Sequence, residues 1–251
     1  MRLNTLNPLN RNWGPNHGLS MRLLSLPNNS GGRQWFDIAN NNHGTLGTGS
    51  TWSSARRDNS FGCMSFDGTN PPVSIPSTAL PTGAKTVAFW INFDTLSAIV
   101  LLGGSGSYYP YISTVQMIIN DGTDQVTWSH GGFTSGIWYH VAITHVGGVA
   151  VAYKNGVSLG GGSAAGSVDV AVSKIGGFAN NTFLFDGKLD DVCFWNRSLS
   201  ASEVLAHYQD SLAGYVKSLN WRSATWAVAG GASPTLTPPA RDMGISLEMG
   251  L

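Results

Sequence analysis

The chain has 251 residues, of which 32 are glycine, 42% are hydrophobic and only 11% are charged, and its 14 basic and 14 acidic side chains cancel to a formal net charge of zero. A protein of this length buries roughly 70–75% of its unfolded surface, so one apolar core can hold it without disulfides or metal. Charge balance with no run of either sign excludes an electrostatic footprint for nucleic acid or an anionic membrane, and so weak a repulsion between copies favours a subunit fixed in an assembly over a free monomer.

Residues 1–17 are rich in Asn and Pro and read as an arm that docks without forming a core. Asn4, Asn7, Asn10, Asn12 and Asn16 interrupt any apolar centre of a secretory leader. No run approaches the roughly 18 apolar residues of a membrane helix, so membrane insertion is not expected. Residues 18–26 set Leu19, Met21 and Leu23 against Ser20, Arg22 and Leu24, the period of a first strand. Trp35-Phe36-Asp37 then leads into an Asn-rich turn at 40–42 and a short strand opening at His43-Gly44-Thr45-Leu46. Residues 61–68 (FGCMSFDG) and 73–75 continue the strand pattern. Residues 86–93 (TVAFWINF) are apolar on both faces, with Val87, Phe89 and Ile91 on one and Trp90 on the other, as suits the buried middle of a sandwich. Strands are predicted at 99–102, 115–119 and 126–129, with a Gly- and Tyr-rich loop over 103–111. Residues 137–146 form another strand, which returns through VAVAYKNG, where Asn155-Gly156 is the pair that a two-residue type I′ hairpin selects. Strands at 168–172 and 174–178 lead to the closing segment.

In that segment Lys188 to Trp195 alternates as a half-buried strand, and Asn196-Arg197-Ser198 breaks it. Ser200 with Glu203 three residues on is a capping box, and Val204, Leu205 and Tyr208 give one apolar stripe, so a single short helix follows. After Gly214 there is no sustained period, and prolines at 234, 238 and 239 mark residues 215–251 as an extended C-terminal arm. Strands spaced by about ten residues with one helix define an all-β fold, a two-sheet antiparallel β-sandwich over residues 18–214.

The quoted segments WFD, NNNHGTL, FGCMSFDG and IWYHVA, and above all FLFDGKLDDVCFWNRSLS, resemble the laminin-G-like, concanavalin A-like lectin/glucanase jelly rolls. The resemblance covers about residues 18–212. With its Asn/Pro-rich start the chain is similar to the stand-alone proteins of this kind in phage and environmental bacterial sequences. That resemblance implies a noncatalytic structural or adhesive subunit of a larger assembly, a virion surface protein, whose partners are proteins or further copies met through the terminal arms, and cell-surface glycans. The alternative is a free, extracellular carbohydrate-binding lectin module.

Glucan hydrolases also use this architecture, with a strand bearing Glu-x-Asp-x-Glu, because two facing carboxyls must act as nucleophile and acid/base. This chain has only Glu203, in a helix cap, and Glu248, in the arm, while Asp190 and Asp191, adjacent on a strand, are expected on opposite faces. No catalytic residues are assigned. His140 reads as a packed or hydrogen-bonded strand residue. Cys63 and Cys193 match no zinc or redox spacing and read as buried free thiols. In the resembling family the strands carrying these positions run close together, which leaves a disulfide as the alternative. The resemblance also implies calcium, a hard ion that takes six to eight oxygens. Asp37, Asn41, Asp186 and Asp190 fall at or near acid-bearing motif positions, and the same residues are ordinary turn formers. For sugar stacking the candidate cluster is Tyr108, Tyr109 and Tyr111 with Trp128, His130 and Phe133, whose plain alternative is packing.

Overall fold

A computed structural model describes residues 17–25, 33–55, 57, 62–104, 107–163, 169 and 171–210. The predicted arms, apart from His17, lie outside the described residues. The elements, in chain order, are β1 (Leu19–Leu23), β2 (Gln34–Trp35), β3 (Gly44–Thr45), β4 (Ser50–Ser53), β5 (Cys63–Asp67), β6 (Val73–Ser74), β7 (Lys85–Phe93), β8 (Ile99–Val100), β9 (Leu102–Gly103), β10 (Tyr108–Ile112), β11 (Gln116–Asn120), β12 (Gln125–Ser129), β13 (Trp138–Val146), β14 (Val149–Lys154), β15 (Val157–Ser163), β16 (Lys174–Ile175), β17 (Asp186–Trp195) and α1 (Ala201–Asp210).

The strands make two antiparallel sheets. The first runs β15-β14-β13-β7-β17-β5-β4, with β1 also beside β17, and the second runs β12-β11-β10-β9-β16-β6-β3-β2, with β8 beside β10. Alternation supplies the core between them: Val87, Phe89, Ile91, Val141, Ile143, Leu189, Val192 and Phe194 from one sheet meet Tyr109, Ile112, Met117, Ile119, Val126, Trp128 and Ile175 from the other. Each such large side chain removed from water contributes about 1.5–3 kcal/mol.

All nine residues of β7 are buried, because its inner face meets the core and its outer face is roofed by α1. Ala88 and Ala142 are small enough to let the helix approach, and with Tyr153, Cys193, Trp195 and Leu199 they form a second apolar cluster that packs against Val204 of the helix. Trp90 stacks on Tyr208 of the helix at 5.6 Å. Asn155 and Gly156 both take positive φ, 52° and 76°, as a type I′ turn demands. Gly156 has a second reason to lack a side chain, since a Cβ there would come within 2.9 Å of Leu205 and 3.0 Å of Tyr208.

The helix start is built as a reciprocal cap. The Ser200 amide donates to Glu203 Oε2 at 2.9 Å, the Glu203 amide donates to Ser200 Oγ at 3.3 Å, and Arg197 grips the same carboxylate through Nη1 and Nη2 at 3.0 and 2.6 Å. Those hydrogen bonds, Arg197 foremost, lower the Glu203 pKa from 4.5 to about 2. A depressed folded-state pKa contributes stability that is full above the unfolded value and lost as pH falls through the folded one. The difference in melting temperature between the parent protein and Glu203→Gln is therefore expected to shrink from pH 5 towards pH 2, as followed by circular dichroism.

Three sequence expectations change. The Tyr-rich segment predicted as loop holds β10; Tyr109 and Ile112 point into the core, and the register slips between Tyr108 and Tyr111, around Pro110, which hides the alternation. β4 carries too short a pattern to be read alone and is fixed by pairing with β5. The strand predicted at 168–172 is absent among its described residues, and that predicted at 174–178 shortens to β16.

Candidate functional site

The Asp190-Asp191 pair departs from simple alternation. β17 pairs with β7 through Asp190↔Trp90 and resumes at Cys193↔Ala88, so Asp191 and Val192 together oppose Phe89, and Asp191 sits at φ 50°. This bulge returns Val192 to the core and places both carboxylates on the outer face beneath α1, correcting the expected opposite-face placement. It falls where the other neighbour of β17 changes, from β5, whose pairing ends at Leu189↔Met64, to β1, whose pairing begins at Leu23↔Val192.

Arg22 of β1 closes on Asp191 as a fork, Nε to Oδ1 at 2.6 Å and Nη2 to Oδ2 at 2.9 Å. Burial alone would raise the Asp191 pKa, but Arg22 outweighs it and the carboxyl lies below its usual range. Asp190 lies 3.6 Å from Arg57, whose guanidinium stacks 3.9 Å over Trp90. Burial, reinforced by the Asp191 charge, pushes Asp190 up to about 7. From the helix, His207 Nδ1 shares a 2.9 Å hydrogen bond with His140 Nε2, and its Nε2 lies 3.8 Å from Asp191. Burial lowers His207 to about 4 and His140 well below its ordinary value, so both rings are neutral near pH 7. His140 is thus the packed, hydrogen-bonded strand residue that its pattern implies.

Asp191, Cys193 and His207 bring three potential metal-ligand atoms within 4.8 Å of one another. A cation there would have to displace the Arg22 fork, and burial raises the Cys193 thiol well above its ordinary range. The set is a charge and hydrogen-bond plug that seats α1, and both aspartates are sealed from any sugar. Cys63 and Cys193 are free and buried, as read from the sequence.

The four residues selected for calcium do not converge. Both Asp37 oxygens accept backbone amides, from Arg22, Ala39, Asn40 and Asn42 at 2.8–3.2 Å, so it organises the Asn-rich turn. Asn41 is exposed. Asp186 accepts from Thr95 Oγ1 at 2.5 Å at one end of β17, roughly 13 Å along the strand from Asp190.

The sugar candidates divide. Tyr109, Trp128, His130 and Phe133 are 0%, 4%, 3% and 9% exposed, so none presents a ring face, a correction to their selection. Alternation turns Tyr109 of β10 and Trp128 of β12 inward, and in the segment after β12 Phe133 packs against His130 and under Lys154. Tyr108 and Tyr111 remain half-exposed on the outer face of the second sheet. There they close a ring with two residues the sequence reading missed: Tyr108 to Tyr111 is 5.8 Å, Tyr111 to Phe183 5.9 Å, Phe183 to Phe178 5.9 Å and Phe178 to Tyr108 5.8 Å between centroids. Phe183 is 49% exposed and sits at φ 52°, with Asn181 at φ 60°. Its loop is pinned by Phe178 N to Thr182 O, Asn181 N to Phe178 O and Val100 N to Phe183 O, each 3.0 Å. A bulky residue held in the left-handed region costs on the order of 1–3 kcal/mol, which the surrounding contacts must offset. The sequence signal was two phenylalanines flanking the polar turn at 179–182, where packing gives them no place.

Two antiparallel sheets packed face to face, with one capped helix across the outer face of the first, define a β-sandwich. The chain belongs to the concanavalin A-like lectin/glucanases superfamily, whose family model matches residues 67–205, just over half of its length. Among curated protein sequences no relative was found. Among solved structures the chain is similar to domain 4 of AbnA, a GH43 extracellular arabinanase from Geobacillus stearothermophilus, in complex with arabinotriose. The identity is 16% and the TM-score 0.59, over 74% of this chain and 96% of that one. It is similar also to the binding domain of Paraclostridial Mosquitocidal Protein 1, at 17% identity and TM-score 0.58, over 76% of this chain and 52% of that one. A third likeness is to Trypanosoma rangeli sialidase in complex with sialic acid, at 18% identity and TM-score 0.54, over 76% of this chain and 32% of that one. The chain therefore spans about half of the second protein and a third of the sialidase. At these identities the likeness is one of fold.

Proposed function

We propose that the sandwich is a noncatalytic carbohydrate-binding module whose contact surface is the ring of Tyr108, Tyr111, Phe178 and Phe183. The observation that carries this reading is a pinned, partly exposed cluster of four aromatic rings set at 50–77° to their neighbours, with Phe183 held at positive φ. Sugars offer faces of C–H bonds that stack on such rings. Domain 4 of the arabinanase, solved in complex with arabinotriose, supports the reading by analogy of fold. The virion-subunit role expected from the sequence rests largely on residues 1–17 and 215–251, and the sandwich supports the adhesive, glycan-contacting part of it.

The test is a glycan array with Tyr111→Ala and Phe183→Asn. Asn tolerates the left-handed region better than Phe, so Phe183→Asn is expected to leave the melting temperature unchanged or raise it, while each variant weakens binding to array hits at least tenfold. Hits that both variants retain at full strength, or a complete absence of hits, would overturn the reading.

A further inference from the structure

The aromatic ring continues into a second surface that the stacking platform does not use. Along the strand register Tyr108 opposes Asn120, which opposes Gln125, and Tyr111 opposes Ile118, which opposes Thr127. Met117 and Ile119 of β11 and Val126 and Trp128 of β12 fill the core. The six residues of the two rows therefore share the outer face with the rings. Three strands make a strip roughly 10 Å wide before the Phe178 and Phe183 rings extend it, which exceeds a single sugar ring.

The polar groups of the strip are wired in one direction. Asn120 Oδ1 accepts the Gly122 amide at 2.6 Å, Asn120 Nδ2 donates to Gln125 Oε1 at 3.2 Å, and Gln125 Nε2 donates to Thr127 Oγ1 at 3.2 Å. Each amide oxygen already accepts one hydrogen bond, and the second amide hydrogens of Asn120 and Gln125 and the Thr127 hydroxyl hydrogen remain to donate, which suits an oxygen-rich ligand. No residue of the two rows carries a formal charge. The turn that joins β11 to β12 adds Asp121 and Asp124 beside Asn120 and Gln125, with Asp121 Oδ1 fixed by the amides of Thr123 and Asp124. On the far side Lys174 lies across Gly103 from Tyr108, but it donates to Ser74 at 2.8 Å, and the Gly177 and Phe178 backbone covers Gly103.

Building on the glycan-binding reading above, we infer that the ligand is a neutral, linear oligosaccharide lying across β10, β11 and β12. One part stacks on the aromatic ring and the next is read by the donors of Asn120, Gln125 and Thr127, while Asp121 and Asp124 repel sugars that bear carboxylates.

The experiment is equilibrium binding of the full chain to an array of neutral linear oligosaccharides of one to six units, beside counterparts carrying uronic or sialic acid. Hits are then titrated calorimetrically with Tyr111→Ala, Gln125→Ala, Thr127→Val and Asp124→Asn. Neutral chains are expected to bind at least tenfold more tightly than their single sugars and than their acidic counterparts. Gln125→Ala or Thr127→Val should cost about five- to tenfold, and Asp124→Asn should narrow the gap to the acidic series. If Tyr111→Ala abolishes binding while Gln125→Ala and Thr127→Val do not alter it, or if acidic glycans bind as well as neutral ones, the glycan module stands and this inference fails. If no glycan binds, or Tyr111→Ala changes nothing, the module reading falls and this inference with it.

Discussion

Replacing Asp191 with Ala is expected to lower the unfolding free energy by about 3–5 kcal/mol, read from urea denaturation at pH 7. The cost comes less from the lost pair than from what is left behind. The Arg22 side chain is 8% exposed and that of Asp191 0%. Without the carboxylate, the guanidinium keeps its desolvation penalty and loses its fork of hydrogen bonds. The same change also removes the negative neighbour of His207 and Cys193, loosening the seat of α1. Arg22→Met with Asp191→Leu removes both charges together and is expected to recover most of the loss, because apolar residues of similar volume no longer bury a guanidinium stripped of its carboxylate fork. The exposed pair Lys188–Asp94 provides the contrast. Asp94→Ala should change stability by less than about 1 kcal/mol, since solvent screens both partners. Equal losses at the two sites would contradict the burial argument.

The sequence carried the sandwich because its information is local. Alternation in residues 86–93, the Asn155-Gly156 turn and the Ser200–Glu203 cap each specify their geometry within a few residues, and each is found in place. The site was legible only in fragments, because it depends on which strand lies beside which. Arg22 and Asp191 are 169 residues apart, and the bulge that turns Asp191 toward Arg22 arises from the change of partner along β17, which no period in residues 188–195 records. Alternation read alone gave the wrong face for Asp191. Aromatic content alone gave the wrong rings, since alternation draws Tyr109 and Trp128 into the core and leaves Tyr108 outside, while His130 and Phe133 are buried in the segment that follows β12. Phe178 and Phe183 join the Tyr pair through a loop closure between strands far apart in sequence, so composition could not place them.

Asp190 gives the second large effect, and its sign is opposite to that of an ordinary buried ion pair. Its carboxyl is raised from 3.8 to about 7 by burial and by the Asp191 charge, with Arg57 offsetting part of the rise. Between those two values the folded protein holds a proton that the unfolded chain has released. Stability therefore falls as pH climbs through the window and levels off above about 7. His207 works the other way, because its folded pKa is depressed to about 4 from 6.5, so its contribution is full above 6.5 and lost as pH falls toward 4. The two slopes oppose each other in the parent protein, which makes its own pH profile uninformative. The difference between Asp190→Asn and the parent removes the histidine contribution and isolates the carboxyl. Asn fills the same space and cannot ionise, so this difference is expected to move in favour of the variant by on the order of 2–3 kcal/mol between pH 5 and pH 8. Parallel urea titrations of both proteins at the two pH values measure it. A difference that stays constant with pH would mean that Arg57, stacked on Trp90, holds Asp190 ionised throughout. In that case the plug beneath α1 consists of two complete ion pairs, where the expected result makes it one ion pair and one neutral acid.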